Sequence, residues 1–108
     1  MVTPGNEARQ AFYNDVSQSV AEKYMAKLLP QSRASLASGL SYLAYRDVPT
    51  HYVLCQKDRA LSPTVQQNMI DSVGVDVTTH VLESGHSPML SMPEATASII
   101  RKAAGVAV

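Results

Sequence analysis

Between Ser17 and Leu29 the apolar residues Val20, Ala21, Tyr24, Met25 and Leu28 recur at helical spacing, while Glu22, Lys23 and Lys27 fall off that face. A helix is expected there, stopped by Pro30. A shorter helix is expected from Ser32 through Ser38, with Gly39 as its C-terminal cap. From Val48 the pattern changes. Pro49 opens a short continuous run, Tyr52-Val53-Leu54-Cys55, which suits a strand buried on both faces of a parallel sheet. It ends in a polar loop, Gln56-Lys57-Asp58-Arg59. Ser62 then caps a helix whose first position is Pro63 and whose inward face is read as Val65, Met69, Ile70 and Val73. Gly74 ends that helix, and a second strand is expected over Val75 to Leu82, with Val75, Val77, Thr79 and Val81 sharing one face. Such a strand-helix-strand unit places its two strands parallel. After the loop Glu83-Ser84-Gly85-His86 comes a last helix from Pro93 to Ala104. Its order matches dipole and capping preferences, with Glu94 at the start, Arg101 and Lys102 in the last turn and Gly105 beyond. Ala97, Ile100 and Ala104, flanked by Ile99 and Ala103, give it an apolar stripe expected to cover one face of the sheet.

Composition narrows the picture. The chain has 108 residues, 45% apolar and 17% charged, enough for one small domain with a modest core. Nine basic and nine acidic side chains are scattered along it, so there is no electrostatic footprint for nucleic acid or an anionic membrane. Its single cysteine, Cys55, has no partner for an internal disulfide, and no metal-ligand spacing of Cys and His is present. Met1 to Arg9 lacks the apolar stretch of a signal peptide, and no run approaches the roughly 20 apolar residues of a membrane span. A soluble, cytoplasmic protein without cofactor or metal is expected.

The chemistry gathers in the two loops that follow the strands, where open parallel sheets collect catalytic groups. Asp58 lies in the first and His86 in the second. An Asp acceptor fixes the tautomer and orientation of a His and stabilises the imidazolium formed when Nε2 takes a proton from a nucleophile. Gly85, just before the His, allows a tight turn and close backbone approach. Each residue taken singly has a plainer reading, Asp58 as a turn former and His86 as a surface loop histidine. Their matched placement after consecutive strands favours the chemical one.

The run from Pro49 to Asp58, then Ser62-Pro63 and Gln66, then Ser84-Gly85-His86-Ser87-Pro88-Met89-Leu90-Ser91-Met92-Pro93-Glu94, resembles the closing segment of α/β-hydrolases. The branch it is most similar to contains plant-type methylesterases and hydroxynitrile lyases. In that family the triad runs Ser, Asp, His, with the acid after the penultimate core strand and the His after the last. The resemblance therefore implies that Asp58 is the catalytic acid and His86 the base. A looser likeness extends to Phe12-Tyr13-Asn14-Asp15 and Leu29-Pro30-Gln31-Ser32, which look like the end of a helical cap and the return to the core. What the resemblance implies is a partial α/β-hydrolase fold: residues 1–46 a cap remnant with return helices, and 47–105 two parallel edge strands, the last of the core, with their flanking helices. Hydroxynitrile lyases carry a Lys directly after the catalytic His, where this chain has Ser87.

A nucleophile elbow, Gly-x-Ser-x-Gly, would lie upstream of this segment, and no good match to it occurs. Gly39-Leu40-Ser41-Tyr42-Leu43 lacks the second Gly, and the small, polar stretch before it looks helical, so Ser41 reads as an ordinary turn serine. Cys55 falls inside a strand and reads as a small buried residue. Met89, Leu90 and Met92 read as packing against the last helix, with a substrate-pocket role as the alternative. Two functions stay open. The first is a truncated or split serine-esterase-like hydrolase, inactive alone, whose partners are a complementary N-terminal half or a second copy and, once completed, a small ester-like substrate. The second is a non-catalytic module that binds a partner or dimerises through an exposed sheet edge. A coding frame upstream with a Gly-x-Ser-x-Gly motif would favour the first.

Overall fold

The computed structural model describes residues 6–106. Helices α1 (Asn6–Phe12), α2 (Gln18–Met25) and α3 (Arg33–Ala37) precede a 3-10 turn at Ala44–Arg46. Strand β1 (Thr50–Cys55), helix α4 (Pro63–Ser72) and strand β2 (Val77–Leu82) follow, and α5 (Pro88–Ser91) leads into α6 (Pro93–Ala103). The strands form a two-stranded parallel sheet in which Thr50 pairs with Val77 and Cys55 with Leu82. The expected strand-helix-strand unit is therefore present, and both strands point their carboxyl ends at one edge.

Local chemistry explains most of the boundaries. The Ser17 hydroxyl accepts from Val20 N–H at 3.3 Å and starts α2. That helix closes at Met25, short of the expected Leu29, because Lys27 and Leu28 turn inward to i−3 carbonyls (Lys27 N–H to Tyr24 O, 3.0 Å; Leu28 N–H to Met25 O, 3.2 Å). Pro30 lacks the N–H that would continue the helix and disfavours helical ψ at Leu29, so the last turn closes with 3-10 bonds instead. Ser62 caps α4 by accepting from Val65 N–H, Pro63 takes its first position, and Gly74 at φ 76° turns the chain out of it. Completing that turn uses Val75 and Asp76, so β2 starts at Val77 instead of Val75.

Two expected faces are corrected. On α4, Ile70 and Val73 turn to the sheet and Met69, though 45% exposed, lines a cleft with Thr50, Tyr52 and Val77, as expected, but Val65 is 43% exposed and the most buried position belongs to a polar residue. The reason lies in Gln66, which is 1% exposed. Its Oε1 accepts from Cys55 N–H (2.9 Å), and its Nε2 donates to Cys55 O (3.0 Å) and Leu61 O (2.8 Å). Strand N–H groups alternate between edges, and Gln56 N–H bonds Leu82 O on the β2 side, so Cys55 presents its groups to the other edge. The carboxamide of Gln66 serves them there as an added strand would. On α6 the half-buried face is Ala95, Thr96 and Ile99; Ala97 and Ala104 are exposed, as is Ile100. Its principal neighbour is α5. Of the stripe expected to cover the sheet only Ile99 turns inward, and the half-buried face of α6 packs near α5 rather than across the sheet. Helices α1 and α5, with 7 and 4 residues, are too short to show a period, and α1 ends at Phe12, where the resemblance implies the end of a helical cap.

Because Gln66 satisfies buried backbone groups, Gln66→Leu should lower unfolding stability by about 1–3 kcal/mol, while Met69→Gln should stay within about 0.5 kcal/mol. Urea denaturation of the two variants checks this. Equal midpoints would show that the carboxamide is dispensable.

Candidate active site

Hydrogen bonding between the two strand segments does not stop at the ends of the strands. Gln56 N–H bonds Leu82 O and Lys57 N–H bonds Ser84 O, both at 2.9 Å, so the two loops leave the sheet side by side. They bring Asp58 and His86 together. His86 Nδ1 lies 2.8 Å from Asp58 Oδ2, and with a carboxylate as acceptor Nδ1 is the donor. The other carboxylate oxygen is occupied as well, since Asp58 Oδ1 accepts from Ala60 N–H (2.8 Å) and Leu61 N–H (2.9 Å). This is an Asx turn. The turn-former reading of Asp58 and the chemical one thus describe the same side chain, one oxygen each.

Burial divides the pair. Asp58 is 8% exposed, whereas the His86 side chain is 36% exposed, so the acceptor is fixed and dry while the imidazole still reaches solvent. Phe12 lies against the ring, centroid to centroid 5.3 Å at 37°. With Nδ1 held by Asp58, Nε2 is the ring nitrogen left to exchange a proton. Such an arrangement can accept a proton at Nε2 and stabilise the resulting imidazolium through the carboxylate. Beneath the loop, Ser84 is fully buried and its hydroxyl donates to Gly85 O at 3.1 Å. Gly85 meets Asn14 and Asp15, and a Cβ placed there would lie 2.1 Å from Asn14 Oδ1 and 2.8 Å from Asp15 Oδ1. Only glycine fits.

The other candidates fall elsewhere. Ser41 is exposed, follows the short helix α3 and is not delivered by any strand. Cys55 is buried in β1, and burial pushes its thiol above the usual value; a nearby Ser84 hydroxyl opposes this and the Asp58 and Asp15 charges add to it. A nucleophilic cysteine has the opposite shift. Burial also raises the Tyr52 phenol, with Cys55 and Asp58 adding to the effect. Leu90 and Met92 are half-buried next to α6, and Met89 is largely exposed. One juxtaposition escaped the sequence reading. His51 and His80 stack across the strands, Nδ1 to Nε2 2.9 Å apart, and no local sequence signal ties two strand histidines separated by a crossover helix. Among the described residues no group of three or more His, Cys, Asp or Glu is placed to hold a metal ion, and no helix is long and apolar enough to cross a membrane.

Fold and geometry together define an α/β unit with an acid and a histidine at one sheet edge. The profile of the Alpha/beta hydrolase family matches residues 2–99, and the chain belongs to that family. A protein named "Probable hydrolase R7" from Phoma sp. is 34% identical over 100 residues, which cover 89% of this chain and 41% of that protein. "Alpha/beta hydrolase nvfD" from Aspergillus novofumigatus is 27% identical over 103 residues, covering 95% of this chain and 41% of its own length. The chain thus spans about two fifths of the length of the curated relatives it matches.

Two outcomes test the site as described. Asp58→Ala strands two backbone donors and should cost about 1–3 kcal/mol of stability, and Asp58→Asn should cost less, because its amide oxygen still accepts from Ala60 and Leu61. Equal losses in urea would contradict the Asx turn. The thiol gives a pH test. With the folded-state value raised, the unfolded chain ionises first, so stability should fall as pH rises through the ordinary thiol range near 9.0. Correspondingly, Cys55 should react with a disulfide reagent far more slowly than free cysteine at pH 8 until denaturant is added. Rapid native-state labelling would refute the burial argument.

Proposed function

We propose that this chain is the C-terminal part of a serine-esterase-like α/β-hydrolase, supplying the acid Asp58 and the general base His86 to a nucleophile and oxyanion hole borne by other polypeptide. The observation that supports it best is the 2.8 Å contact of Asp58 Oδ2 with His86 Nδ1 at the shared carboxyl edge of two parallel strands. In the reaction, His86 Nε2 takes the proton of a serine hydroxyl as that oxygen attacks the ester carbonyl, and Asp58 stabilises the imidazolium. The proton then passes to the departing alkoxide, and the same base activates the water that hydrolyses the acyl-enzyme. The substrate class is a small ester. Within the methylesterase and hydroxynitrile lyase branch, Ser87 after His86 offers no cation to stabilise departing cyanide, which favours ester hydrolysis.

A second reading draws on the surface. Leu29, Leu36, Leu40, Tyr42 and Val48 lie in one stretch and are each more than half exposed. Apolar exposure of this kind suits a partner face, filled by a complementary hydrolase half or a second copy of the chain.

Alone, the 108-residue chain should cleave p-nitrophenyl acetate slowly, without saturation and no faster than free imidazole. General-base catalysis contributes about a hundred- to ten-thousand-fold, and only when substrate is positioned. Kinetics of the chain beside Ser41→Ala, Asp58→Ala and His86→Ala variants decide the matter. Saturable turnover abolished in all three would make Ser41 the nucleophile and overturn the proposal. In a chimera with the N-terminal portion of the Phoma relative ahead of it, ester hydrolysis should appear and depend on His86; cyanide release from a cyanohydrin would place it in the other activity class.

A further inference from the structure

One pair of side chains outside the acid and base touches the backbone of both their loops. Asn14 Nδ2 donates to Lys57 O at 2.8 Å, and Lys57 immediately precedes Asp58. Asp15 Oδ2 accepts from Gly85 N–H at 2.7 Å, and Gly85 immediately precedes His86. Consecutive residues of the segment after α1 thus grip the residue before the acid and the residue before the base, across sequence separations of 43 and 70. We propose that Asn14 and Asp15 are positioning residues, a clamp that sets the separation and orientation of the Asp58 carboxylate and the His86 imidazole. The inference rests on the reading of those two groups as acid and base.

Three features support a role beyond holding the chain together. The bond from Asn14 fixes the plane of the Lys57–Asp58 peptide, since a planar amide carries its C=O and N–H as one unit. Gly85 would otherwise be the loosest link in the second loop, and Asp15 removes that freedom while Asn14 packs against it. Finally, Asn14 Oδ1 and Asp15 Oδ1 are buried with no hydrogen-bond partner among the described residues, a cost that folding alone gives no reason to keep. Phe12, at the end of α1, brings the same segment against the imidazole face. Clamping both loops from one dipeptide holds their spacing even if the sheet breathes.

The test is the tautomer of His86, read from ring nitrogen shifts in 15N NMR of the 108-residue chain, together with the exchange rate of its Nδ1 proton. In the parent, Asp58 should hold neutral His86 as the Nδ1–H tautomer, and Asp58→Ala should convert it to Nε2–H. Asp15→Ala and Asn14→Ala should each raise Nδ1–H exchange roughly tenfold or more and populate Nε2–H. Asp15→Asn, which keeps an oxygen for Gly85 N–H, should restore most of the parent signature. Gly74→Ala, strained at φ 76° and not among the clamp's contacts, is the control that lowers stability without shifting the tautomer. If Asp15→Ala and Asn14→Ala leave the tautomer unchanged while Asp58→Ala converts it, the clamp is refuted and the acid-base pair stands. An unchanged tautomer in Asp58→Ala removes the pair itself. Should Asp15→Ala fail to fold, Asn14→Ala decides by the same readout.

Discussion

The hydrogen bonds that tie the two segments together just beyond β1 and β2 are the constraint from which the rest of the site follows. Pairing of Cys55 with Leu82 is extended by the bonds from Gln56 and Lys57 to Leu82 and Ser84, so the loops leave the sheet already in register. Parallel strands send their carboxyl ends to one edge, and only in that arrangement can the residue three beyond Cys55 meet the residue four beyond Leu82. A slip of one residue would flip side chains to the opposite face and separate the pair.

Polar groups do much of the holding at this edge. Alongside the buried apolar residues Ala21, Leu54, Cys55 and Leu82 stand the buried polar residues Asp58, Gln66, Ser84 and Ser87. Each of the first three polar residues has identifiable partners: two loop N–H groups and an imidazole for Asp58, three backbone groups for Gln66, and the Gly85 carbonyl for Ser84. In a low-dielectric setting such bonds fix geometry because the alternative, an unpaired buried group, is costly. The stretch between Leu29 and Val48 differs: its side-chain hydrogen bonds are exposed and local, and its large apolar side chains face outward.

The Asp58 carboxylate shows how structural and chemical roles coexist. An Asx turn leaves one oxygen unused, and a histidine in the neighbouring loop takes it. The turn anchors the Asp58 carboxylate and the carboxylate orients His86, so the rigidity that the proposed proton transfer needs comes from a feature that folding already requires.

Local sequence determined the strand-helix-strand unit, since its markers act within a few residues: Pro49 before β1, Ser62-Pro63 at the start of α4, and Gly74 at φ 76° after it. It also put Asp58 and His86 in the loops past the strands, because polar runs interrupt apolar ones there. Tertiary structure alone put Gln66 in the most buried position of α4, since the open edge at Cys55 asks for an amide. It alone decided that α6 packs near α5, a helix too short to carry a readable period. It alone brought Asn14 and Asp15 beneath both loops, because contacts spanning 43 and 70 residues leave no periodic or capping trace in the chain. Short-range rules act through bond geometry and hydration of neighbours, whereas the pairing of distant polar groups is settled only when burial forces each one to find a partner.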